Sequence, residues 1–275
     1  MRYADLHTHT FHSDGTRSPA EVVDLAIDAG LGILSISDHD NLAAFHQIRD
    51  YAADRGLLLV VGTELSAEYR GIDIHLLAYA FDPHDQPMEE RLARFRETRR
   101  TRGHRMVERL RELGHDILIE RVEQLCGEGA MGRPHIARAL MEIGAVDSFE
   151  EAFATLIGPG CPGWVAKERF TIQEVVDLVG RAGGVTSVAH PTLYPDHGEI
   201  TAELLDLGID AVEVFHPDVD AESSELYQAL ARERGKFVTG GSDDHGAAKS
   251  LKTIGTVRIS EERIGPIVER LEARG

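Results

Sequence analysis

Ile33-Leu34-Ser35-Ile36-Ser37-Asp38-His39-Asp40 is a short apolar run that ends in two carboxylates and an imidazole. Ile33 to Ser37 reads as a β-strand, and the residues behind it are the types that bind cations. The same arrangement recurs along the chain. Tyr3 to His7 reads as a strand ending in His7-Thr8-His9, and side chains two apart on a strand point to one side, so two imidazoles can face one ion. Leu57 to Val61 is a strand followed by Glu64, and Ile72 to Tyr79 is a strand that carries His75. Val185 to Ala189 leads into His190-Pro191, Ala211 to Phe215 into His216-Pro217, and Lys236 to Gly240 into Ser242-Asp243-Asp244-His245.

Helical patterns separate most of these strands. Ser18-Pro19-Ala20-Glu21 reads as a capping box with proline at the first helical position, and the helix runs through Val22, Val23, Leu25 and Ala26 to stop at Gly30. Further helices are expected over about Leu42 to Arg55, Thr171 to Ala182, Ala202 to Leu207, Glu222 to Arg234, and a last one ending near Arg274. This βαβα rhythm predicts parallel strands joined by crossover helices, an architecture whose active sites lie at the C-terminal strand ends. Seven strands are expected, one fewer than in the standard barrel. The rhythm breaks between about Pro87 and Phe170. Residues 87–169 are therefore expected to form a helical cap inserted between two parts of a barrel, 1–86 and 170–275. Glu89 to Glu112 alone hold nine Arg and five Glu. That helix is either a solvated face laced with i,i+4 pairs or a docking face for an anion.

The length of 275 residues suits a single α/β barrel, and 42% apolar with 28% charged residues is ordinary for a soluble protein. No apolar run is long enough for a membrane span, and the N-terminus lacks the apolar stretch of a signal peptide, so a cytoplasmic location is expected. Cys126 and Cys161 are too few for a disulfide framework or a thiolate zinc site. A net charge of −18 disfavours stable binding of long nucleic acids, although bound cations would cancel part of it. Fourteen histidines are the compositional clue, because imidazole is the commonest metal ligand.

Imidazoles and carboxylates at consecutive strand ends, with no thiolates, suit manganese, iron, zinc or cobalt. Several carboxylates among many imidazoles imply more than one ion, with Glu64 as the natural bridge. A water between two cations is acidified enough to act as hydroxide near neutral pH, so no serine or cysteine nucleophile is required. Ser242 reads as a turn residue.

These residues resemble the PHP family of phosphoesterases, the polymerase and histidinol phosphatase group within the amidohydrolase-like enzymes. The resemblance rests on His7-Thr8-His9 with Ser13-Asp14-Gly15, on Ser37-Asp38-His39-Asp40, on His190-Pro191, and on Gly241-Ser242-Asp243-Asp244-His245. It implies a distorted seven-stranded (β/α)7 barrel and three divalent ions, manganese first, with iron or zinc as alternatives. By the same resemblance His7, His9, Glu64 and Asp243 hold the first ion. His75 and His190, sharing Glu64, hold the second, and Asp14, His39 and His245 the third. Asp38 and Asp40 flank a ligand and are expected to orient imidazoles.

Within the insertion, Gly132-Arg133-Pro134-His135-Ile136-Ala137-Arg138 and Pro162-Gly163-Trp164-Val165-Ala166-Lys167 resemble the cap of one branch. That branch includes nucleoside 3′,5′-bisphosphate phosphatases and enzymes that trim short RNA from its 5′ end. It implies that Arg133, Lys167 and His216 grip substrate phosphate. His135 is open between ligand, phosphate donor and helix cap. The expected activity is hydrolysis of a phosphate monoester on a small nucleotide by a metal-bridging hydroxide, with short RNA as a further substrate. Histidinol phosphate and cyclic sugar phosphates are the alternatives within the class. Amide hydrolysis and a non-catalytic metal-binding module are the alternatives outside it.

Overall fold

The computed structural model describes residues 2–127, 129, 131–166, 170–248 and 253–273. In chain order the first elements are β1 Tyr3–Asp5, α1 Pro19–Asp28, β2 Ile33–Ile36, α2 Ala43–Asp54, β3 Leu58–Tyr69 and β4 Ile72–Tyr79. There follow α3 Gln86–Glu112, α4 Ile119–Cys126, α5 Arg133–Glu142 and α6 Phe149–Ala152, the last running into a π-helical turn Phe153–Ile157. The chain then continues through β5 Phe170–Thr171, α7 Ile172–Arg181, β6 Val185–Val188, α8 His197–Asp206 and β7 Ala211–Phe215. It ends through α9 Ala221–Glu233, β8 Phe237–Gly240, β9 Ile259–Ser260 and α10 Gly265–Glu272.

The sheet runs β8-β7-β6-β4-β3-β2-β1-β9. Its seven longer strands are the seven read from the sequence, and β5 and β9 add two residues each. The chain just beyond β1 and β8 draws the two ends of this order together. Leu6 N–H donates to Gly240 O at 3.1 Å, Asp243 N–H to His7 O at 2.8 Å, and His9 N–H to Asp244 O at 2.9 Å. The sheet thus closes into a distorted barrel, and the closing seam lies beside the His7 and Asp243 side chains.

One expectation fails. The strands are not all parallel, because β4 pairs antiparallel with both β3 and β6. Only Arg70 and Gly71 separate β3 from β4, both left-handed with φ of 51° and 81°. A two-residue connection with positive φ makes a hairpin, whereas a parallel crossover needs a dozen residues or more. β3 is also longer than read, so Glu64 lies within the strand rather than after it.

Local signals were otherwise obeyed. Ser18 Oγ accepts from Glu21 N–H at 3.3 Å, and the Glu21 carboxylate accepts from Ser18 N–H at 2.7 Å, which closes the expected capping box. The inserted helices share their own apolar core, with Met106, Leu110, Ile136, Leu140 and Ile157 buried together. The barrel strands and their outer helices bury further clusters, one of which also takes in Met88, Leu92 and Phe95 from the first half of α3. Among the described residues no helix is long and apolar enough to cross a membrane.

The barrel seam leaves no room at Gly241, where a Cβ would stand 2.4 Å from both the backbone N and the Cβ of His7. Gly241→Ala is expected to destabilise the fold by about 1–3 kcal/mol, the usual cost of overpacking. A thermal melt should show a fall in Tm of several degrees, with a loss of metal affinity because His7 must move.

Candidate metal centre

The ends of the parallel strands, with Glu64 within β3 and His75 within the antiparallel β4, bring side chains to one rim of the barrel, and buried carboxylates below fix how those side chains point. Glu213, in the middle of β7, is fully buried and its carboxylate lies 3.1 Å from His7 Nδ1. A carboxylate can only accept, so His7 carries its proton on Nδ1 and turns the Nε2 lone pair inward. The other Glu213 oxygen accepts from His190 N–H at 2.7 Å. Asp38 accepts from Thr10 N–H at 2.8 Å and from the hydroxyls of Thr10 and Ser13, each at 2.6 Å. With its proton committed to Asp38, the Ser13 hydroxyl accepts from His9 Nδ1 at 3.3 Å, so His9 Nε2 is also a lone pair. His245 Nδ1 donates to Asp243 O at 2.9 Å, and its Nε2 faces Asp14 Oδ1 at 3.3 Å.

These acceptors converge. His7 Nε2 and His9 Nε2 stand 3.1 Å apart, and each is 3.5 Å from Asp243 Oδ1. Glu64 lies at the middle. Its Oε1 is 2.7 Å from His75 Nδ1 and 3.1 Å from His190 Nε2, while its Oε2 is 3.2 Å from His9 Nε2 and 3.3 Å from His39 Nδ1. His39 Nδ1 and Asp14 Oδ1 are buried without a hydrogen bond. Lone pairs facing one another at such distances repel unless protons or cations lie between them. The donor set fits divalent ions: ligand atoms of His7, His9 and Asp243, of His9, Asp14 and His245, of His9, His39 and Glu64, and of Glu64, His75 and His190 each gather within 4.8 Å.

The electrostatics agree. Burial would raise the Glu64 carboxyl, but the His39 and His75 rings hold it well below the usual range. Asp14 is depressed in the same way, against burial, by His245 and His39. Burial opposes charge on His7 and His9, yet the carboxylates around them win: His7 is raised well above its ordinary value and His9 to about 9. Burial holds His39 well below the usual imidazole value. Burial also pushes Asp5 up to about 6, although Ser242 N–H and His7 N–H both donate to it.

The remaining expected residues divide. Asp38 positions His9 through Ser13, as an orienting residue should. Among the described residues the Asp40 carboxylate is bonded to an arginine, taking Arg99 Nε at 2.5 Å. His135 caps its own helix, its Nδ1 accepting from Gly132 N–H at 3.0 Å, which removes it from the ligands. Arg133 lines the cavity above the cluster, its guanidinium 5.1 Å from the centre of the Phe153 ring. His216 packs among the imidazoles, 6.4 Å from His7 and 6.0 Å from His190 between ring centres, with Nε2 3.6 Å from Asp243 Oδ2. Its side chain is fully buried, so it sits among the ligands and not on the basic wall. Lys167 lies outside the described residues. Sequence reading passed over Asp5, Glu213 and Arg99. Glu213 did leave a signal, a lone carboxylate inside the apolar strand Ala211-Val212-Glu213-Val214-Phe215.

A closing barrel with this cluster on its rim and a basic cavity above it defines a metal-dependent hydrolase of phosphate esters. The chain belongs to the PHP domain family, whose profile matches residues 5–188. It is similar to the 5′-3′ exoribonuclease Rnm of Escherichia coli strain K12, with 31% identity over 88% of this chain and 84% of the relative. It is also similar to a 3′,5′-nucleoside bisphosphate phosphatase of Chromobacterium violaceum, with 29% identity over 100% of this chain and 98% of the relative. Among solved structures, an amidohydrolase from Chromobacterium violaceum with bound sulfate and no metal superposes with a TM-score of 0.87. It is 26% identical and covers 98% of this chain and 96% of its own.

Because the surrounding carboxylates raise His7 and His9 above the ordinary imidazole value, a cation competes with an added proton at their inward Nε2 atoms. Calorimetric Mn²⁺ titrations in buffers of different ionisation enthalpy should show proton release at pH 7.5, and the affinity should rise from pH 7 towards 9. Glu213→Gln removes the charge that fixes the His7 tautomer and should weaken Mn²⁺ binding about 10–100-fold in the same titration.

Proposed function

We propose that the enzyme hydrolyses a phosphate monoester of a small nucleotide that carries a second phosphate, converting a nucleoside 3′,5′-bisphosphate to a nucleoside monophosphate and phosphate. One observation carries the reading. A cavity of about 220 Å³ has the imidazole and carboxylate cluster as its floor and Arg102 and Arg133 among its walls. A ligand anionic at two separated points is the natural complement of such a space. The Chromobacterium violaceum relative, matched along nearly its whole length, acts on that class of compound by its name.

The reading takes His7, His9, Asp14, His39, Glu64, His75, His190, Asp243 and His245 as ligands of three divalent ions, manganese first among them. When bound, these ions would supply Lewis acidity that makes water nucleophilic near neutral pH and would offset phosphate charge. The protein's own groups do the rest. Arg133 offers a planar fork to the phosphate that is not cleaved, with Phe153 beneath its guanidinium. Lys167 joins it on the strength of the resemblance. His216 accepts from Asp218 N–H through Nδ1, which leaves its Nε2–H to steady Asp243. Leu193, exposed at the cavity, offers an apolar surface to the nucleoside. The inserted segment 87–169 thus acts as the cap that supplies Arg133 and covers the barrel rim. The likeness to the Escherichia coli exoribonuclease favours a second substrate of the same kind, the 5′-terminal nucleotide of a short RNA. The reading keeps the enzyme in the cytoplasm.

A phosphate-release screen on Mn²⁺-loaded protein tests this, with nucleoside 3′,5′-bisphosphates, short 5′-phosphorylated RNAs and histidinol phosphate side by side. The bisphosphates should be turned over best, chelation should abolish activity, and Mn²⁺ should restore it. Arg133→Ala should raise KM for the bisphosphate about tenfold or more, the loss of one charge-assisted contact. Turnover that persists after thorough metal removal, or hydrolysis of amides in place of phosphate esters, would overturn the proposal.

A further inference from the structure

The arginine-rich helix α3 was open to two readings, a solvated face or a face for anions. Arg96 and Arg99 serve neither. Both turn inward onto Asp40, the residue that follows His39. Arg96 donates to the Asp40 backbone carbonyl at 2.9 Å, and Arg99 Nε to its carboxylate at 2.5 Å. A second Arg99 nitrogen donates to Ser66 Oγ at 3.0 Å. The Arg99 side chain is 15% exposed and the Asp40 side chain 0%. Ser66 stands two residues beyond Glu64 on β3, hence on the same face of the strand.

One guanidinium therefore brackets the two segments that deliver His39 and Glu64. The segments are also linked directly, since Asp40 N–H donates to Glu64 O at 3.2 Å. Asp40 adopts a left-handed backbone with φ of 53°, a conformation that costs a non-glycine residue energy and persists only where its surroundings enforce it. The paired contacts from α3 supply that enforcement. We infer that Arg99 is a positioning residue of the metal centre: it fixes His39 against Glu64, and so sets how tightly the ions these ligands face would be held. The cap would then govern metal occupancy as well as substrate access. A phosphate grip is the weaker role for Arg99, because Asp40 already balances its charge and Ser66 takes a further donor.

The inference rests on the reading that His39 and Glu64 are ligands of the metal centre, but its test needs no substrate and survives a wrong choice of nucleotide. Metal-free wild type, Arg99→Lys and Ser66→Ala are titrated with Mn²⁺ by calorimetry, with folding followed by circular dichroism. Lysine keeps the charge but cannot span Asp40 and Ser66 as a planar fork. Arg99→Lys should weaken one class of Mn²⁺ site about 10–100-fold and leave the others unchanged. At saturating Mn²⁺ its kcat should recover. Ser66→Ala, which removes one arm of the bracket, should weaken the same class by a smaller factor and stands in if the lysine variant does not fold. Wild-type Mn²⁺ affinity in a folded variant overturns the inference. So does a rise in KM with metal binding intact, which would make Arg99 a substrate grip.

Discussion

Five imidazole nitrogens lie within 3.5 Å of the Glu64 carboxylate, from His7, His9, His39, His75 and His190. No arrangement of hydrogen bonds alone makes that gathering stable, because most of the inward-facing atoms are acceptors. Positive charge has to be present, as protons in the metal-free protein and as divalent ions in the working one. The rest of the site follows from that constraint. It explains why the His9 ring is held so basic, why Glu64 stays ionised despite burial, and why metal binding and proton release are two sides of one equilibrium.

A site of this kind depends on the groups behind it as much as on the groups that face the ions. Glu213 sets the His7 tautomer and holds the His190 backbone, Asp38 ties down the loop that ends in Asp14, and the Asp243 carbonyl orients His245. All three are buried in strands or turns that the barrel would form in any case, so orienting the ligands and closing the barrel use the same hydrogen bonds. Leu6 to Gly240 and Asp243 to His7 are at once the seam of the sheet and the floor of the cluster.

The cap adds a second level of control. Its helices share an apolar core while the first half of α3 packs on the barrel; Arg133 lines the cavity, and Arg96 and Arg99 reach to Asp40. The cavity arginine and the two arginines on Asp40 therefore come from neighbouring helices of one insertion. In an acidic chain with a net charge of −18, several arginines pair on the surface, while Arg96 and Arg99 turn inward to Asp40.

Much of this was legible in the residue order. Strand periodicity followed by His, Asp or Glu marks the rim of a barrel, because the periodicity reports burial and the polar end reports where the chain leaves the core. That pattern placed His7, His9, His39, His190, Asp243 and His245 on the rim, while Glu64 and His75 reach it from inside β3 and the antiparallel β4. Asp14 came from resemblance, since it sits on a loop with no periodicity to place it. Other features needed the tertiary structure, each for a stated reason. The antiparallel turn at Arg70-Gly71 depends on two φ angles, and the long β3 depends on its partner. Glu213 looks like a misplaced charge until His7, 206 residues away, is beside it. Arg99 is one of nine arginines on its helix until packing turns it towards Asp40. Sequence fixes which groups each segment can offer; only the closing of the barrel under its cap decides which of them meet, because those contacts join residues the chain order leaves far apart.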